Sequence, residues 1–160
     1  DDGVDVVAFA DFMGATKAPA RGPITPDVEA GAELFAKIGC SVCHTPSIVT
    51  APPGTVINGG KFTVPPALGS KIIHPYSDFL LHDMGGLGDG IVQEAASGRE
   101  MRTAPLWGLR LRDRYLHDGS ATSVDNAIRR HDGQGRAARL GYEALTEAER
   151  TDLLAFLQSR

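Results

Sequence analysis

The residues best placed to do chemistry are Cys40-Ser41-Val42-Cys43-His44, a C-x-x-C-H run. This is the spacing at which a haem is attached covalently to a chain. Two thiols three positions apart on one turn each form a thioether to a haem vinyl group, and the histidine that follows reaches the iron as the proximal axial ligand. Cys40 and Cys43 are the only cysteines in the 160 residues. A closed zinc site wants four ligands, so its second pair would have to come from histidines. A thioredoxin-like dithiol belongs within a βαβ pattern, which the sequence lacks. A plain disulfide is the remaining competitor. The flanks favour haem: Gly31, Leu34 and Phe35 lie upstream on a helical pattern, and Thr45-Pro46 follows, as in many small cytochromes c.

An iron with one protein ligand is either left open for chemistry or closed for electron transfer. The candidates to close it are His74, His82, His117, His131, Met84 and Met101. In simple cytochromes c a methionine roughly 40 to 60 residues after the haem motif does so. Met84 and Met101 fall 40 and 57 residues after His44, so spacing favours them. Pattern favours His131. It follows Val124, Ala127 and Ile128 on an apolar helical stripe, where a polar residue needs a partner. A histidine held by the helix dipole or by a core hydrogen bond would look the same. The residues alone leave the choice open.

The elements that must position these groups are mainly helical. Val4, Val7, Ala8, Phe9 and Phe12 have helical spacing and run into a Pro/Gly/Ala linker from Gly14 to Pro26. That helix reads either as the end of a preceding domain or as an arm packing on this one. Thr25-Pro26-Asp27 is a helix start, with a capping hydroxyl, Pro at the first position and an acid next. Val28, Ala32, Phe35 and Ile38 form its apolar stripe, Gly31 allows close approach, and Gly39 ends it before the cysteines. A Pro/Gly-rich stretch over 46–75 follows. Within it Thr55-Val56-Ile57 and Lys61-Phe62-Thr63-Val64 flank Asn58-Gly59-Gly60, which predicts a small β-hairpin covering a haem edge.

Pro75 to His82 reads as a short helix stopped by Met84-Gly85-Gly86. Thr122 or Ser123 caps the helix that carries His131 in its last turn, before Gly133. Thr146-x-x-Glu149 is a capping box. It starts a C-terminal helix whose buried side is Leu153, Leu154, Phe156 and Leu157, and which crosses the helix at 26–38 in a cytochrome c arrangement. Arg102, Trp107 and Arg110 are candidates to meet anionic haem propionates, because guanidinium forks and indole N–H groups suit carboxylates.

Composition supports one domain with an appendage: 1–22 as N-terminal helix and linker, 23–160 as a haem domain. Apolar content of 42% supports a core, but 29 glycines and prolines and 6% aromatic residues leave it modest, a deficit a haem would fill. A net charge of −4 without a basic block argues against nucleic acid. No apolar run reaches membrane-spanning length. The chain starts at Asp1-Asp2 with no signal-like segment and reads as mature or excised. Haem attachment to C-x-x-C-H takes place on the oxidising side of the bacterial membrane, so the expected location is periplasmic.

Several stretches together resemble one family. They are Phe35-x-x-x-Gly39-Cys40-x-x-Cys43-His44, Tyr76-Ser77-Asp78-x-Leu80-Leu81-His82-Asp83-Met84-Gly85, Arg102-Thr103-x-Pro105-Leu106-Trp107-Gly108-Leu109 and Tyr115-Leu116-His117-Asp118-Gly119. They resemble the C-terminal haem domain of the dihaem oxidoreductases, related to the bacterial dihaem cytochrome c peroxidases and MauG. The resemblance covers 27–158, and residues 1–20 resemble the end of that family's first haem domain. It implies a sixth ligand fourteen residues after the histidine of the His-Asp-Gly turn, a methionine in the peroxidases and a tyrosine in MauG. Counted from His117, that position is His131. The resemblance therefore favours His44/His131 ligation, with Met84 the rival, and a lower potential than a methionine would give. The His82-Asp83 and His117-Asp118 neighbours read as turn or propionate contacts.

The expectation is a mainly α, cytochrome c-type domain with a Pro/Gly-rich loop region. It carries one covalent haem c, with His44 and His131 on the iron. It passes electrons to a redox partner or a second haem domain. The alternative is a peroxidase-like oxidoreductase working at this haem.

Overall fold

The structure, a computed structural model, describes residues 3–160. Its frame is two twelve-residue helices, α2 (Pro26–Lys37) and α5 (Glu147–Gln158), which pack against each other more extensively than any other pair. Their starts are chemically specified. Thr25 Oγ1 accepts from Val28 N at the head of α2, with Pro26 at the first position. Thr146 and Glu149 form the reciprocal capping box at the head of α5. Glycine sets the crossing. A Cβ on Gly31 would sit 2.0 Å from the Asp152 carbonyl oxygen and 2.7 Å from Phe156 Cβ. Above the crossing Phe35, Phe156 and Tyr76 form an aromatic cluster with ring centroids 5.2–5.9 Å apart. Leu34, Leu153, Leu157, Tyr142, Leu145, Val124 and Leu109 complete the core.

Two smaller helices close the unit, α3 (Val124–Arg129) and α4 (Arg136–Glu143). Ser123 is the cap of α3, its Oγ accepting from Asn126 N. Three antiparallel ribbons of two strands each make up the rest. β1 (Ile48–Val49) pairs β4 (Ile72–Ile73), β2 (Val56–Ile57) pairs β3 (Phe62–Thr63), and β5 (Leu81–Asp83) pairs β6 (Glu100–Arg102). Among the described residues the content is mixed, with five α-helices, the largest share of regular structure, on a loop-rich frame stitched by short ribbons, so the fold is not clearly mainly α. The hairpin expected around Asn58-Gly59-Gly60 is the β2–β3 pair, with Gly59 and Gly60 both at positive φ.

The short helix expected over Pro75–His82 does not form. Side chains there bond to the local backbone and compete with helical pairing. Ser77 Oγ accepts from Phe79 N and Asp78 Oδ1 from Leu80 N, both at 2.9 Å. Tyr76 and Phe79 sit at φ 52 and 59, outside the helical region. The segment serves instead as a brace. Ser77 N donates to the Thr45 carbonyl and Asp78 N to the Cys43 carbonyl, tying it to the cysteine turn.

The first helix, α1 (Val4–Ala15), buries none of its residues. Val4, Val6, Val7, Phe9 and Phe12 are all more than 60% exposed, so it is not an arm packed on this domain. The linker behind it is pinned, because Gly22 N donates to the Ser159 carbonyl and Arg110 Nε to the Ala20 carbonyl. No described helix is long and apolar enough to cross a membrane.

Candidate cofactor site

Gly39, at φ +89, turns the chain out of α2 so that Cys40, Ser41 and Val42 make a single 3₁₀ turn. The Cys43 amide closes it on the Cys40 carbonyl, and the His44 amide donates to the same oxygen. Cys40 packs on the core, Cys43 is half-buried, and both thiols are free. Burial pushes the Cys40 thiol up to about 11, and burial with the nearby Asp78 charge raises Cys43. Neither is a poised thiolate. That weighs against a reactive dithiol.

His44 is aimed by the brace. Its Nδ1–H donates to the Tyr76 carbonyl at 2.9 Å, which fixes the tautomer and leaves Nε2 with its lone pair free. The left-handed conformation of Tyr76 is what turns that carbonyl toward the ring, and for a bulky residue it costs about 1 kcal/mol or more. Phe35 lies beside the imidazole, centroid to centroid 6.2 Å. Burial lowers His44 to about 4, partly opposed by the Tyr76 bond, and the charge of His131 lowers it further. The two histidines therefore lie within electrostatic reach of each other.

His131 is held by the same device. It stands just beyond the C-cap of α3, not in its last turn, and its Nδ1–H donates to the Ala127 carbonyl at 2.8 Å. Its Nε2 is again left free. Burial lowers this imidazole too, so both rings are neutral, the form that ligates.

Met84 converges on the same place. A Cβ on Gly135 would lie 3.1 Å from the Met84 methyl and 3.3 Å from the His131 ring, so thioether and imidazole flank one glycine. The loops that carry them interlock. A Cβ on Gly133, which sits at φ +54, would be 2.2 Å from the Asp83 carbonyl oxygen.

His82 is already engaged. Its Nε2–H donates to Asp78 Oδ2 at 2.8 Å, while Nδ1 stands 3.0 Å from Gln134 Oε1 and 3.7 Å from Cys43 Sγ. Burial works to raise Asp78, but the Leu80 amide and His82 outweigh it, so its carboxyl lies below the ordinary range. Cys43, Asp78 and His82 come within 4.8 Å of one another, three donors where a structural zinc wants four. Asp83 and Asp118 cap turns, at Gly85 and Ser120. Ser47 Oγ and His74 Nδ1 are 2.8 Å apart, near the surface.

Of the residues expected at the haem, the fold brings Cys40, Cys43, His44 and His131 toward one region. Arg102, Trp107 and Arg110 make contacts of their own. The Arg102 guanidinium is 6.0 Å from the Phe79 ring, Arg110 holds the linker, and Trp107 lines a separate groove. Sequence reasoning missed the Tyr76 and Ala127 carbonyls and the Asp78–His82–Gln134 chain. Only Ala127, one helical turn before His131, carried a readable signal.

The donor set fits a covalently held haem: two free thiols on one turn, and two neutral, tautomer-fixed imidazoles with free Nε2 atoms. The comparisons with known proteins agree at the level of family. The sequence profile described as "Di-haem oxidoreductase, putative peroxidase" matches residues 3–160. Among solved structures, hydrazine synthase of Kuenenia stuttgartiensis, studied under 20 bar of xenon, aligns with a TM-score of 0.54 at 21% identity. The alignment covers 91% of this chain and 50% of that one, so the chain spans about half the length of that relative, and the likeness is one of fold. No curated protein matches.

Proposed function

Because the chain belongs to the di-haem oxidoreductase family, we propose that it is a periplasmic electron-transfer domain with one covalently attached haem c. Cys40 and Cys43 would form the thioethers, and His44 and His131 would take the two axial positions. The haem supplies one-electron chemistry at its iron, and the chain supplies orientation, burial and potential. One observation carries this reading: two histidines from different elements, each with Nδ1 clamped by a main-chain carbonyl. Clamping both rings before a ligand arrives removes rotational freedom and leaves a single nitrogen on each to bind. Two imidazoles held in place by main-chain carbonyls would hold an iron with little rearrangement on gaining or losing an electron, which suits electron relay. The relay partner is a second haem domain or a redox protein.

Two imidazoles hold the potential below that of an imidazole–thioether pair, because thioether ligation favours ferrous iron. The near-infrared charge-transfer band of the ferric protein separates the two cases. A bis-imidazole position is expected, and a methionine-type band would transfer the sixth position to Met84. His131→Ala should give a high-spin spectrum and an iron open to added imidazole or cyanide. An unchanged low-spin spectrum sinks the assignment.

The family's description as peroxidase keeps an enzymatic reading in view. Chemistry at this haem needs an open or displaceable sixth site with acid–base groups beside it. With His131 in place, peroxide-driven dye oxidation by this chain should not exceed that of free haem. Turnover well above it would favour the enzyme.

A further inference from the structure

One cavity has neither axial histidine in its lining. It is a groove of about 890 Å³ between the linker after α1 and the loop from Ser47 to His74, with Trp107 and Arg160 on its walls. The linker wall is fixed by the Gly22–Ser159 and Arg110–Ala20 hydrogen bonds. Tyr76 touches both places, lining the groove while its carbonyl holds His44 Nδ1. Tyr76 is thus shared between the groove and the support of His44, while His44 itself does not line the groove.

Its charge runs against that of the molecule. The chain carries −4, yet the groove is lined by Arg21, Lys71, His74 and Arg160 and by no Asp or Glu side chain. The three ion pairs among the described residues all use other cations. Arg160 is stacked over Tyr76 and Phe156, 4.1 and 4.4 Å from their centroids, and its Nε is buried without a hydrogen-bond partner. Burial lowers it to about 10, the Tyr76 hydroxyl opposes this, and Arg21 lowers it further. Arg21 and Arg160 repel each other, and an anion between them relieves that, with Lys71 on the same groove. Trp107, Ile72, Ile73 and Leu68 give the groove an apolar wall, with Ser47, Thr50 and His74 among the polar lining, and the volume lies within the range of small-molecule sites.

We propose that this groove binds a small amphiphilic carboxylate, its flat apolar body against Trp107 and Ile72 and its carboxylate among Arg21, Lys71 and Arg160. The site uses neither cysteine nor either axial histidine, so its test is independent of the iron ligands. The probe is 2-naphthoate, titrated by calorimetry into the haem-loaded chain, with neutral 2-naphthalenemethanol as the isosteric control. One probe per chain is expected, bound about tenfold or more tightly than the alcohol, with affinity falling as salt rises. Arg21 and Lys71 are exposed with no ion-pair partner, so R21Q/K71Q should fold normally and weaken 2-naphthoate about tenfold while leaving the alcohol unchanged. Trp107 is the only tryptophan, and its indole N–H resonance should shift on addition of the probe to the ferrous protein. Absence of saturable binding, equal affinity for acid and alcohol, an unaffected R21Q/K71Q variant or a stationary indole resonance would each overturn the proposal.

Discussion

A single side chain can set the pH response of the helix that delivers His131. Asp125, on α3, accepts from Arg129 Nε at 2.9 Å and from the Tyr142 hydroxyl at 2.6 Å. The Arg129 bond holds its carboxyl below the ordinary value, burial opposes, and Tyr142 adds to the lowering. A carboxyl lowered on folding contributes stability that is fully present above its unfolded pKa, about 3.9, and is lost as pH falls through the folded value. Asp125→Asn should therefore lower the melting temperature at pH 6 but flatten its fall between about pH 4 and pH 2. A parallel fall in wild type and variant would show that Asp125 plays no such part. Residues of this kind mark the limit of what the sequence discloses. Cys40, Cys43 and His44 were legible because their chemistry demands a fixed local spacing. The carbonyls of Tyr76 and Ala127 were not, since any residue supplies a carbonyl and only the fold aims it.

At the scale of elements, the crossing of α2 and α5 is the frame on which the cysteine turn hangs. Gly31→Ala would drive a methyl into the Asp152 carbonyl. Because main chain and not a flexible side chain is the obstacle, the helices must part, at a cost of roughly 1–3 kcal/mol. Urea denaturation followed by far-ultraviolet circular dichroism would measure it, and a change below about 0.5 kcal/mol would contradict the packing described. Both helices, their caps and the hairpin were readable because each is decided by neighbours in sequence: Thr25-Pro26, Thr146-x-x-Glu149, Asn58-Gly59-Gly60. The stretch 75–82 was misread because Ser77 and Asp78, which cap turns, sit among apolar residues at helical spacing. Its actual partners, the Cys43 and Thr45 carbonyls, lie more than thirty positions upstream.

For the molecule as a whole, α1 is the element without a place. None of its residues is buried and none belongs to the core, so deleting residues 1–15 should leave the melting temperature within about 2 °C of the intact chain. A larger fall would mean that α1 packs on the domain after all. The same deletion should reduce self-association, because it removes a contiguous apolar surface. The interlock at Gly133 has a different reach. A left-handed backbone there is pressed against the strand that leads to Met84, while two residues earlier the chain presents His131. Even the methyl of alanine would meet main chain there, so any side chain must force the two segments apart. The two rival ligand loops are riveted together, and any drift in one must carry the other with it.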